Sequence, residues 1–168
     1  FKPTEVFARE YNNMKRIQDS LIKVRKLEKI ERDRIAKMPL EDYKKEFVAK
    51  MMKKYPNATV TESGLIIVKD GKGNGQKPNI GDKVKVHYKG MFESGEVFDS
   101  SFKRNKPFSF DCGKRQVIKG WDEGIGMLSI GEKATLVIPY YLGYGSRANR
   151  AIPAYSTLIF DVELLDIL

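Results

Sequence analysis

The hydrophobic period of this chain changes once, near Thr61, and that change limits what each part can fold into. Before it, Phe7, Tyr11, Met14, Ile17, Leu21, Val24, Leu27 and Ile30 recur three or four residues apart, with Lys, Arg and Glu between them. That spacing puts one apolar stripe on a helix and predicts helix from about Thr4 to Met38, with Pro3 and Thr4 at its start. Pro39 interrupts the pattern. Leu40, Tyr43, Phe47 and Met51 form a second amphipathic run that ends at Tyr55-Pro56-Asn57. Two such helices make a poor core for ~60 residues. The stripe must therefore pack on the second helix, on the rest of the chain or on another copy of itself, and pairing with a copy is the economical solution.

Beyond Thr61 the pattern is that of strands. Leu65 to Val68 is a short β-rich run, followed by a loop punctuated by Gly71, Gly73, Gly75 and Pro78. The GKGNG stretch in that loop leads into no helix and lacks the Lys-Ser/Thr ending of a phosphate cradle. Val84–Met91 and Glu96–Ser101 read as a hairpin turning at Glu93-Ser94-Gly95-Glu96. Lys106–Cys112, Glu132–Ile138 and Thr157–Leu165 read as further strands. Val117–Met127 is a short helix holding the only Trp, and Pro139–Ser156 is a long loop. The fold expected is α+β: a helical segment over residues 1–60, then one antiparallel sheet wrapped over a short helix in residues 61–168.

Charge follows the same division. Residues 1–60 carry 16 Lys and Arg against 9 Asp and Glu, and residues 61–168 carry 15 against 13, within a total of +9. A basic front can touch nucleic acid or an anionic membrane, but interspersed signs on a helix favour a solvated face. The single cysteine, Cys112, excludes an intrachain disulfide and reads as a buried thiol. No apolar run approaches the ~18 residues of a membrane span. The first residue is Phe1 rather than Met. An initiator, a signal or a longer leader is the expected missing piece; removal of a leader favours a bacterial periplasm or cell envelope, and otherwise the cytoplasm is expected.

Little reactive chemistry is on offer. His87 is the only histidine, and no Cys, His or acidic cluster has metal-ligand spacing, so neither metal nor cofactor is expected. Ser100, Ser101 and Cys112 have no base motif beside them, and the adjacent Asp122 and Glu123 point apart on a helix. Aromatic residues are plentiful instead: Tyr88, Phe98, Phe108, Phe110, Trp121, Tyr144 and Phe160 are spread over strands, helix and loop. Aromatics at strand spacing usually mean core. Tyr144 in a glycine-flanked loop and Asp99 beside Phe98 point instead to an aromatic pocket with a polar edge.

The segments VHYKGMFESGEVFDSS, RNKPFSF, QVIKGWDEGI, IGEKATLVIP, GYG and TLIFDVELL, in that order, resemble the FKBP-type peptidyl-prolyl cis-trans isomerases from about Gly64 to Leu168. The resemblance implies a half-wrapped sheet around one short helix, with an apolar pocket between them. It implies Tyr88, Phe98, Asp99 and Tyr144 as catalytic residues. The substrate-binding surface would be Phe108, Phe110, Val117, Ile118, Trp121, Ile152 and Phe160. Trp121 would floor the proline ring, the Ile118 N–H and Tyr144 hydroxyl would donate to substrate carbonyls, and Asp99 would face the twisted amide and orient Tyr88. The implied partners are proline-containing unfolded or partly folded proteins, with rapamycin-type macrocycles as inhibitors. A proline-binding module or chaperone without turnover is the alternative. The loop GSRANRAIP is about one residue shorter than in small family members and lacks the His they often carry, which leaves substrate preference and macrocycle affinity open. Bacterial relatives with a helical front are similar in layout and pair through it. Residues 1–60 are therefore expected to form a homodimer, and residues 61–168 an active monomer.

Overall fold

The computed structural model of the chain describes residues 3–168. Phe1, on which the expectation of a removed leader rests, lies outside them. Two compact units divide between Met38 and Pro39. The first contains one helix, α1 (Pro3–Lys37), along which Phe7, Tyr11, Met14, Ile17, Leu21, Val24, Leu27 and Ile30 are all exposed.

The second unit opens with α2 (Leu40–Lys54). Glu41 and Asp42 lie in its first turn and Lys53 and Lys54 in its last, each complementing the helix dipole. Seven strands follow: β1 (Thr59–Val60), β2 (Ile66–Asp70), β3 (Lys83–Phe92), β4 (Val97–Ser100), β5 (Phe108–Asp111), β6 (Lys133–Ile138) and β7 (Leu158–Ile167). The short helix α3 (Lys119–Gly126) lies between β5 and β6. Strand order is β1-β2-β6-β7-β3-β4, with β5 also paired to β3, and every pairing is antiparallel. The α+β architecture read from the sequence is the one found, with shifted ends. Ile118, with ψ 151°, is still extended, so the helix expected from Val117 starts at Lys119. The strand expected from Lys106 starts at Phe108, after Pro107.

Alternation along the strands sorts the sheet into two faces. On the inner face, Val84, Val86 and Tyr88 of β3, Leu136 and Ile138 of β6 and Leu158, Phe160, Val162 and Leu164 of β7 enclose Trp121 and Ile125 of α3. The other face has an apolar row of its own. Ile66, Val137 and Ile159 are direct cross-strand partners, all buried, yet outside the inner cluster.

The buried side chains of α2 are Tyr43, Phe47 and Met51, the last 0% exposed, and they too lie outside the inner cluster. Tyr43 packs on Tyr140 (4.6 Å) and Tyr141 (6.2 Å), and Lys50 bonds to Glu93 at 2.8 Å. These contacts hold α2 at the end of the sheet where β3 and β6 finish, and its buried side chains and the outer row are both apolar sets outside the inner cluster. Burial of three such side chains contributes about 1.5–3 kcal/mol each. The change of period at Thr61 marks where strands begin, whereas packing joins α2 to the sheet.

Candidate functional site

The site is built on the β3–β4 hairpin, whose turn closes through Gly95 N–H to the Phe92 carbonyl at 2.9 Å. In a regular strand Phe98 and Asp99 would face opposite ways. The ladder pairs Gly90 with Asp99 and Met91 with Val97, so Phe98 is an extra, unpaired residue. This β-bulge re-aims the backbone and lets both neighbours serve one pocket. Phe98 stands edge-on to Phe160 (5.5 Å, 89°), and the Asp99 carboxylate accepts the Tyr88 hydroxyl.

Gly90 lies beneath that pair. A Cβ there would come within 2.7 Å of both the Phe98 and the Phe160 ring, so the walls meet only over glycine. Gly90→Ala is expected to cost about 1–3 kcal/mol through overpacking. It should also lower kcat/KM for an X-Pro peptide about tenfold by spreading the walls, equivalent to ~1.4 kcal/mol of transition-state binding. A urea melt and a turnover assay on the same preparation check both effects, and unchanged turnover would show that the walls tolerate displacement.

Trp121 is the hub of the pocket. It is 5% exposed and meets Tyr88 (4.9 Å, 78°), Phe160 (5.2 Å, 84°), Phe108 (6.1 Å, 70°) and Phe110 (5.8 Å, 49°). Such edge-to-face contacts stabilise the cluster beyond the area they bury. Phe110 is buried under the floor, while Phe108, 38% exposed, reaches the rim. Val117 and Ile118 pack against this core from the segment before α3. The Ile118 N–H donates to no protein acceptor among the described residues, although its carbonyl receives the N–H of Trp121 at 3.0 Å. It is an open donor beside the floor.

The polar edge is a three-residue cluster. Arg104 donates Nη1 to Asp99 and Nη2 to the Tyr88 hydroxyl (2.8 Å). Partial burial pushes the Asp99 carboxyl upward, but the bonds from Tyr88 and Arg104 and the guanidinium charge outweigh it and hold it below the usual carboxylate range. Burial, with the Asp99 carboxylate, pushes the Tyr88 phenol up. The edge is thus a fixed negative charge beside a neutral hydroxyl, with no group poised to exchange protons near neutral pH. Sequence reasoning missed Arg104; the signal available was a cation five residues after Asp99, on the turn leading to Phe108.

Two expected members stand farther out. Tyr144 is half exposed and makes no ring contact with the cluster among the described residues; burial, then the Asp99 charge, raises its phenol pKa. Ile152 is buried in the core, where it pins the 143–153 loop, and Asn149 Oδ1 accepts the N–H groups of Ala151 (2.9 Å) and Ile152 (2.7 Å). His87 lies on the sheet's other face, stacked on Phe102 at 4.6 Å. Among the described residues no three His, Cys, Asp or Glu side chains are grouped to hold a metal ion. Nor is any helix there long and apolar enough to cross a membrane.

Comparison with known proteins gives the family. Residues 74–165 match the family model for FKBP-type peptidyl-prolyl cis-trans isomerases, and the chain belongs to that family. It is similar to the peptidyl-prolyl cis-trans isomerase Fkbp12 of Drosophila melanogaster, 49% identical over 106 residues, covering 62% of this chain and 98% of that one. It is 46% identical over 119 residues to FK506-binding protein 4 of Neurospora crassa, covering 70% of this chain and spanning only 25% of the relative. Among solved structures, FkpA from Escherichia coli is similar over 99% of this chain and 73% of its own, with TM-score 0.69 and 34% identity. That likeness takes in the helical front as well as the sheet.

Proposed function

We propose that this chain accelerates cis-trans rotation of X-Pro bonds in unfolded or partly folded proteins, with the pocket over Trp121 as its site. The observation that carries this reading is an aromatic box edged by hydrogen-bond donors and the Asp99–Arg104 ion pair, with no nucleophile or proton shuttle among them. Rotation about an amide makes and breaks no bond; it faces a barrier of ~18–20 kcal/mol set by C–N resonance. Water sustains that resonance by hydrogen-bonding the carbonyl oxygen. A pocket walled by Phe98, Phe108 and Phe160 excludes those waters and favours the twisted, less polar amide. Trp121 offers the proline ring a flat apolar floor. The Ile118 N–H and Tyr144 hydroxyl donate to flanking carbonyls, and the Asp99 charge, held by Tyr88 and Arg104, faces the rotating group.

Two further elements complete the reading. The pocket takes rapamycin-type macrocycles, and the stripe on α1 pairs two copies of the chain. The exposed row from Phe7 to Ile30 supports the pairing. Its residues would bury about 1.5–3 kcal/mol each against a partner.

The test is turnover of a neutral Leu-Pro peptide with Trp121 fluorescence followed in parallel. The expected result is catalysis that a rapamycin-type macrocycle abolishes while it quenches Trp121. A rate equal to the uncatalysed one, with binding intact, would make the chain a binding module instead.

A further inference from the structure

The three segments that frame the pocket mouth are rich in cations and free of acids. The turn 101–107, the stretch 112–119 and the loop 143–153 together carry eight Lys and Arg and no Asp or Glu. The remainder of residues 61–168 carries seven Lys and Arg against thirteen Asp and Glu. A domain of net charge +2 therefore has a strongly positive mouth on a negative body.

The cations at the mouth are held out to solvent. All eight are exposed, and only Arg104 forms an ion pair among the described residues, with Asp99. The acids nearest in sequence are turned inward: Asp122 accepts the N–H groups of Gly113 (2.9 Å) and Arg115 (3.0 Å), and Asp111 accepts Gln116 Nε2 (2.9 Å). Arg115 itself sits at φ 60°, a left-handed conformation that residues with a Cβ rarely adopt, held there by the Asp122 bond. On the facing loop, the Asn149 bonds and the buried Ile152 fix the turn that carries Arg147 and Arg150.

We propose that this rim selects X-Pro segments flanked by acidic residues. The proposal rests on the isomerase reading of the same pocket and adds the charge class of its substrates. Aromatic walls read the residue at the proline, and the rim reads charge a few residues away on either side. The cations lie on three separate segments, each of which also supplies the site. Arg104 bonds to Asp99 and Tyr88, Lys119 follows Ile118, and Arg147 and Arg150 fall between Tyr144 and Ile152. This placement favours a peptide in the pocket over a membrane. Like charges gathered at a mouth with low-dielectric walls raise the local concentration of an oppositely charged ligand, and salt screens the effect.

The experiment compares three peptides with the same Leu-Pro core, flanked on both sides by Glu, by Lys or by neutral residues. It reads turnover together with binding by Trp121 fluorescence. The Glu peptide is expected to show kcat/KM and affinity about tenfold above the Lys peptide at about 0.01 M salt, converging at about 1 M, where the Debye length falls to ~3 Å. Lys119→Gln/Arg147→Gln/Arg150→Gln should shrink the ratio, and the three changes to Glu should invert it. A ratio near one at low salt, or one unmoved by these variants, overturns the proposal even when the neutral peptide is turned over. Binding that favours the Glu peptide without turnover of any peptide would keep the rim's role and remove the isomerase reading. Retention on phosphatidylglycerol vesicles with no preference among the peptides would assign the rim to membranes and overturn the proposal.

Discussion

Asp99→Ala should lower kcat/KM for X-Pro peptides at least tenfold and leave a cooperatively folded domain, and Phe98→Ala should do the same by a different route. The Asp99 carboxylate accepts the Tyr88 hydroxyl and one arm of Arg104, whose other arm also reaches that hydroxyl. Removing the carboxylate deletes the fixed charge and releases both partners. Because the cluster is at the rim and solvent reaches it, the cost falls on catalysis far more than on folding. Phe98 takes part of the wall and leaves the Phe160 ring facing water. A tenfold loss corresponds to ~1.4 kcal/mol of transition-state binding, comparable to the ~1.5–3 kcal/mol that burial of one large apolar side chain supplies. Turnover within twofold of wild type in both variants would place the rotating amide elsewhere.

The second large effect concerns where the chain is cut. Residues 39–168 should form a stable, active monomer, whereas residues 61–168, expected from sequence to stand alone, should be several kcal/mol less stable. The shorter piece lacks α2, whose removal is expected to uncover the outer row of Ile66, Val137 and Ile159. It also loses the buried Tyr43, Phe47 and Met51, together about 4.5–9 kcal/mol at the usual value for each side chain. That is a large share of the 5–15 kcal/mol that holds a typical domain. The Drosophila relative aligns over 98% of its own length with 62% of this chain, so the sheet domain has counterparts without such a front. In this chain the outer row is apolar and needs a cover. Denaturant midpoints of the two fragments decide the point, and equal midpoints would show that α2 contributes nothing. Light scattering on the full chain should report a dimer that Leu21→Asp splits; a wild-type monomer at micromolar concentration would remove α1 as the interface.

What the sequence revealed and what it hid follow from the kind of signal each feature leaves. The stripe of α1 and the alternation of β3 and β7 are periodic, and period is readable in a single chain. The aromatic hub was legible because Trp121 is unique and its neighbours sit on recognisable strands. The bulge at Phe98 was not legible, since an extra residue in one strand is defined by its partner's register. Arg104 was missed for a related reason: its role depends on a turn folding back over Asp99, and an exposed arginine has no periodic signature. Nor did the α2 pattern say which surface would receive it, because an amphipathic stripe names its need and not its partner.

The position of β7 has a consequence for how this molecule comes into being. It is the last strand in the chain yet lies inside the sheet, between β6 and β3, and it carries Phe160 into the pocket. Until β7 has left the ribosome, a growing chain holds two unjoined half-sheets and an incomplete pocket, while α1, built from local contacts, can already be wound. The helix comes early and the sheet late, since pairings between distant residues are the slow ones to form. This chain thus spends much of its own synthesis in the open-edged state typical of an unfolded protein, with α1 wound before its last strand exists.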